Sequence, residues 1–472
     1  MSSVAVPKKM VPVPNVYGVE AFKELKPEMV ALHPVQHKDT TFTTAGVNRI
    51  SFKVPAYSNA LLDTSRSFIH MYLSATAVSA LAQGLPIFSR MVVKTSSGLT
   101  IEDVSDMDVL NNMLSYLKPI TWEKASTYGN MVSRHKTQDS EAGLLPATSA
   151  DDDAEAIFKF DWGVFDKKLT KFIPLFMADG GAGYSFDVDL YLSNIGLSVT
   201  GGNMGALAIK TPVWYLQLMR MDEGLARRFN QMAVHGEEIR IPFTTWHTHN
   251  ASPQSTDALF YIHENATNFK KILTCLRQSS TTPLINYTNS GNVHELTGLT
   301  GGVDDAGLST TGFARVDSYN YRVGVQHVYN EAVMEAKTNT RTLQFVKQAF
   351  GIPDEVTIGL ENLVPHYNTA TTRDTFDLGG TGNHTVDVNA PLGSNIHQTK
   401  RWCAVASFDY SPGDQDVVQG ISSSNPVELS MKFDYNPSGL TVMNFCELGY
   451  DLVFRGGAVH YEEQKPGSQS VY

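Results

Sequence analysis

The sequence predicts an all-β chain built as two consecutive sandwich domains joined by a short helix. Apolar residues recur at every second position in segments spread between residues 49 and 435, the period of half-buried antiparallel strands. Only three segments combine helical apolar spacing with start and stop signals. At 472 residues, and roughly 100 to 200 residues per domain, the chain is too long for one core.

Composition sets the outer limits. The chain is 42% hydrophobic and 18% charged, against about 25% charged in typical soluble domains, so it folds and leaves much of its surface neutral. Such a surface suits an obligate oligomer whose subunits cover one another. With 37 Lys and Arg against 48 Asp and Glu, the net charge is −11. That sign argues against a sequence-reading nucleic-acid partner. Three cysteines, Cys275, Cys403 and Cys446, with no CxxC, do not make a disulfide framework or a zinc knuckle. No signal-peptide run opens the chain, and no transmembrane segment is expected, because no uncharged apolar stretch nears about 18 residues.

Taken in order, residues 1–38 hold five prolines and five lysines with little periodicity, so they read as an extended N-terminal arm outside any core. In 49–54, Ile50, Phe52 and Val54 alternate with polar residues. Ser105 to Lys118 reads as a helix with a Ser105/Asp108 capping box and an apolar face of Met107, Leu110, Leu114 and Leu117, stopping at Pro119. Tyr184 to Leu192 alternates again. Asp222 caps a helix to His235 whose stripe is Leu225, Phe229 and Met232. Glu238 to Phe243 is a further strand. Thr340 to Phe350 is a third helix, closed by Gly351 and Pro353. Trp402 to Phe408 and Val427 to Tyr435 return to period two. Long polar stretches at 120–154, 279–311 and 352–399 read as surface loops. The expected division is an arm at 1–38, a first domain at 39–221, a linker helix at 222–236, a second domain at 237–464 and a tail at 465–472.

Common catalytic signatures are missing: there is no Walker A loop, Gly-x-Ser-x-Gly elbow or His-Glu-x-x-His. Gly180 to Gly183 precedes a strand rather than a helix, so it reads as a turn and not a dinucleotide loop. His247 and His249 have metal-like spacing on a strand. The acidic residues that follow, Asp257 and Glu264, lie too far along the sequence for the usual carboxylate partner, so the pair reads as a loop edge. Asp151 to Asp153 reads as a solvated loop. Glu102, Asp103, Asp106 and Asp108 read as the acidic start of a helix, where carboxylates favour the dipole. The scattered tryptophans read as core. No catalytic, cofactor-binding or metal-binding residue is expected, and no cofactor.

Several ordered segments carry a family likeness. They are Thr41-Phe42-Thr43 through Val54-Pro55, the turn at 62–67, Ile173-Pro174-Leu175-Phe176, and Glu238 to Trp246. The second half adds Tyr319-Asn320-Tyr321-Arg322-Val323-Gly324 with Tyr329, the helix ending Ala349-Phe350-Gly351, Gly420-Ile421-Ser422, and Asp451 to Val459. In order and spacing the chain resembles the double jelly-roll major capsid proteins of the adenovirus and tectivirus lineage, especially those of virophages, Polinton-like viruses and adintoviruses. The loops at 120–154 and 352–399 depart from that pattern.

The resemblance implies two eight-stranded jelly rolls with a few short helices and no enzymatic activity. It further implies a homotrimeric, pseudo-hexameric capsomer that tiles the icosahedral shell of a DNA virus. Its partners would be further copies of itself plus penton and minor capsid proteins. It would reside in the virion and be assembled inside the infected host cell. The net-basic arm, with Lys8, Lys9, Lys23 and Lys26, is expected to tether capsomers. Two other readings stay open on the residues alone: a two-jelly-roll hydrolase of glycans or glycopeptides, and a carbohydrate-binding protein using the long loops.

Overall fold

A computed structural model describes residues 25–35, 41–43, 48–75, 79–81, 85, 87–117, 131–132, 144–145, 154–169, 171–177, 182–193, 197–199, 207–222, 224–226, 229, 231, 238–264, 266–277, 286–287, 294–295, 316–334, 340–356, 358, 374–377, 383–386, 403–409, 420–423, 426–433, 437, 440–455 and 458–464. In the first half the principal strands are β1 (Leu25–Leu32), β2 (Thr41–Thr43), β3 (Arg49–Pro55), β4 (Ala60–Ala75), β5 (Phe88–Thr95), β6 (Thr100–Ser105), β7 (Ala154–Phe158), β8 (Tyr184–Leu192) and β9 (Leu207–Met221). Helix α1 spans Met107–Tyr116. The second half holds β10 (Ile239–Ala251), β11 (Asp257–Ile262), β12 (Ala266–Arg277), β13 (Val316–Val323), helix α2 (Thr340–Ala349), β14 (Cys403–Ser407), β15 (Val427–Phe433), β16 (Thr441–Arg455) and β17 (Ala458–Glu463).

The same connectivity occurs twice. In the first half β9 lies between β4 and the β1/β2 edge, β4 pairs with β7, and the second sheet runs β3-β8-β5-β6. In the second half one sheet runs β10-β16-β12-β14 and the other β11-β15-β13. In each half the first strand lies beside the last long strand, and the next beside the next to last. The chain is thus folded double before it rolls up, which is jelly-roll connectivity. The fold is all-β, a double jelly roll with a few short helices.

Each sandwich closes over its own aromatic core. Trp214 of β9 meets Phe52 of β3 across the two sheets at 5.6 Å between ring centroids, and Phe165 at 5.0 Å. In the second half Tyr321 of β13 crosses the sandwich to donate to Thr274 Oγ1 of β12 at 2.7 Å, and Thr274 donates to Asn444 of β16 at 2.6 Å. Aromatic rings carry the area, and these two buried hydroxyls find partners, as burial demands.

The alternating segments pack as their period requires. Ile50, Phe52 and Val54, then Phe186, Val188, Leu190 and Leu192, then Val427, Leu429, Met431 and Phe433 are all buried. Period two fails in β10 and β12, where long runs are buried on both faces. The α2 stop signal is also realised: Gly351 has φ 62°, and Ile352 N donates to Lys347 O at 2.8 Å. Asp222 caps the linker helix by accepting from Leu225 N at 2.7 Å, and Phe229 is buried against Phe176; Met232 lies outside the described residues.

Three expectations are corrected. The arm is not wholly outside the core: β1 pairs along its full length with β9, from Leu25 opposite Met221 to Leu32 opposite Trp214. Pro27 is tolerated because β1 is an edge strand, where an outward N–H is not needed. The Ser105/Asp108 capping box does not form, because Ser105 ends β6 in register with Arg90. Asp106 at the N-cap takes φ 53° with no side-chain cap bond. Finally, the long loops contain short antiparallel pairs, at 286–287 with 294–295 and at 374–377 with 383–386.

Candidate functional site

The two jelly rolls meet along the open side of β10, an edge strand of its sheet. An unpaired edge exposes backbone donors and acceptors that must be covered or paired. Here the first half packs against that edge, bonding to both its backbone and its side chains. Gly163 N donates to Thr244 O at 2.8 Å, Thr248 Oγ1 donates to Ser105 O at 2.9 Å, and Asn250 Nδ2 donates to the Asp106 carboxylate at 2.9 Å. At the centre lies Glu102 of β6, 2% exposed. Its Oε1 accepts from Thr245 Oγ1 at 2.6 Å and its Oε2 from Val164 N at 3.1 Å.

Among the described residues, the hydrogen-bond donors to Glu102 are neutral. Burial therefore dominates, and its carboxyl is pushed up to about 7 despite the bonds from Thr245 and Val164. Beside it on α1, Asp108 is also buried. It accepts from the Ser193 hydroxyl and from Val109 N. Burial raises its carboxyl above the usual range, opposed by Ser193 and by the Arg277 charge on β12. The four acidic residues read as one helix start are therefore split. Glu102 and Asp108 are buried, Asp103 pairs with Arg90 at 2.6 Å, and Asp106 binds Asn250. Glu102 shares strand phase with buried Val104, a signal that it points inward.

Further along β10, Glu264 Oε1 accepts from His249 Nε2 at 2.7 Å and from His247 Nδ1 at 3.0 Å. The histidines thus stand on a strand and not at a loop edge. Glu264, distant in sequence, is returned to them by the chain's excursion through β11 in the opposite sheet. Burial would raise Glu264, but the two histidines' bonds and charges together bring it down to about 2. Burial would lower His247, but Glu264, with Glu102 and Asp103, raises it. No group of three His, Cys, Asp or Glu able to hold a metal occurs among the described residues.

Lys26 is exposed in β1 opposite Arg220, and Lys8, Lys9 and Lys23 lie outside the described residues, as does Asp151 to Asp153. Gly183, with φ 78°, forms the expected turn into β8. Trp162, Trp214 and Trp246 are buried. All three cysteines are buried. No helix among the described residues is long and apolar enough to cross a membrane.

No family model matches the chain, and no curated protein matches it. The solved structures similar to it include two with TM-scores above 0.5. One is PBCV-1 VP54 fitted into a reconstruction of the virophage Sputnik, at TM-score 0.52 and 10% identity, covering 93% of this chain and 98% of that one. The other is a quasi-atomic PBCV-1 virus capsid, at TM-score 0.53 and 9% identity, with the same coverages. At this identity the likeness is one of fold, and it spans both jelly rolls.

Proposed function

We propose that the chain is a non-enzymatic viral major capsid protein that trimerises into pseudo-hexameric capsomers and tiles an icosahedral shell. The observation that carries this is the fold likeness to a virus capsid protein over nearly the whole of both chains. Physical logic supports it. Two jelly rolls per chain make six per trimer, so a closed three-fold ring presents an almost hexagonal outline that can tile a surface. The buried carboxylates Glu102 and Asp108 and the shielded Glu264 are engaged inside the protein, which supports structural roles for them. Its partners are further copies of itself, with penton and minor capsid proteins completing a virion assembled in the infected cell. Residues 1–24, with Lys8, Lys9 and Lys23, serve as the tether, and Lys26 belongs to the sheet.

Light scattering and negative-stain microscopy of the purified full chain test this reading. Three chains of 51.9 kDa give about 156 kDa, and the particles should be hexagonal blocks. A stable monomer at micromolar concentration would overturn it.

A further inference from the structure

We propose that Glu102 is a proton-operated clasp between the two jelly rolls: a proton on its carboxyl keeps the seam closed, and losing that proton loosens it. The geometry is that of a clasp. Glu102 comes from β6 of the first half, Thr245 from β10 of the second, and Val164 from the segment following β7. One residue before Val164, Gly163 bridges to Thr244 O. A Cβ on Gly163 would lie 2.5 Å from Glu102 Oε1, so backbone is pressed against a carboxyl that is itself buried. Among the described residues, an ionised carboxylate in such a place is held by a hydroxyl and an amide alone. A protonated one can turn the Thr245 bond round, donating to Oγ1, while its carbonyl oxygen still accepts from Val164 N.

The charged surroundings act as follows. Asp166, on the same segment as Val164, disfavours the ionised form, and His247 on β10 favours it. His247 in turn faces Glu264, Glu102 and Asp103, and Glu264 faces His247 and His249. Glu102 holds its proton up to about pH 7 in the closed seam, against 4.5 for an ordinary glutamate. A folded pKa raised above the open value stabilises the closed form most at acid pH, and that contribution is lost as pH rises through 7. His247, also raised, loses its contribution in the same direction, above 6.5. Glu264, lowered to about 2, contributes in full above about 4.5, so it does not oppose the trend. The seam is tightest in mild acid and loosest in alkali, whether or not the protein builds a shell.

Hydrogen exchange of the full-length protein tests this at the amides of Gly163 and Val164, normalised for intrinsic exchange rates. If opening hydrates Glu102, its opening constant should rise on the order of 70-fold between pH 5 and pH 8. In Glu102→Gln, an uncharged isostere, the dependence should fall to the residue left by His247. Thr245→Val removes a donor to the ionised form and should move the wild-type midpoint to higher pH, a readout that stands even if Glu102→Gln does not fold. Protection independent of pH in the wild type would overturn the proposal, as would Glu102→Gln retaining the full dependence or Thr245→Val leaving the midpoint unmoved.

Discussion

Lys271→Met is the substitution whose cost the structure specifies best. Lys271 on β12 and Glu447 on β16 are direct cross-strand partners, 2.9 Å apart, with side chains only 6% and 13% exposed. The same ammonium donates to Ala349 O at the end of α2 at 3.1 Å and sits 4.5 Å from the Phe350 ring centroid. One cation thus neutralises a buried carboxylate and docks the C-terminal end of a helix, where its charge also suits the dipole. Burial pushes Glu447 up, but Lys271 and Lys270 together outweigh it, and the carboxyl lies below its usual range.

Methionine fills a similar volume, so the main loss is electrostatic. Stranding one member of a buried pair costs about 3–5 kcal/mol, a large share of the 5–15 kcal/mol typical of a domain. In a domain of this size that lowers Tm by roughly 10 °C. Urea unfolding followed by tryptophan fluorescence reads it, because Trp246 is the other cross-strand neighbour of Glu447. The penalty should shrink in mild acid, where the stranded Glu447 takes up a proton. The double variant Lys271→Met with Glu447→Leu should recover most of the loss, since replacing both charges removes both desolvation costs. A loss under about 1 kcal/mol for the single variant, or a double variant worse than the single, would refute the reasoning.

Three further outcomes are expected. Tyr321→Phe removes the hydroxyl that bridges the second sandwich to Thr274 and should cost about 1 kcal/mol in the same urea assay, with little change in m-value. Deleting residues 1–24 should leave the melting transition of the first jelly roll in place and reduce only the yield of closed shells. Deleting residues 1–32 should lower that transition itself, because it strips β1 from β9; calorimetry and particle counting separate the two.

The strands were legible where one face meets a core and the other meets water. Ile50, Phe52 and Val54, or Val427 through Phe433, carry that alternation in plain sight, and the burial they imply is found. The helix ends at Asp222 and Gly351 were legible because their signals are local, one side-chain oxygen and one left-handed residue. Where the signal is local but the context is not, the local signal misleads. Ser105 has the chemistry of a cap, yet the neighbouring strand claims it. Pro27 looks like a sheet breaker, yet it lies on an edge.

What the amino-acid order determined by itself was therefore the class of fold, the doubling of the layout, the alternating core and the absence of common catalytic motifs. Tertiary structure alone decided which partners the buried charges meet. Glu102 finds Thr245 across 143 residues, Glu264 folds back to His247 and His249, and Lys271 meets Glu447 from another strand. The physical reason is that periodicity records only whether a position faces a core. The partner that makes a buried charge tolerable is set by which strands the jelly roll brings side by side, and that pairing is long-range.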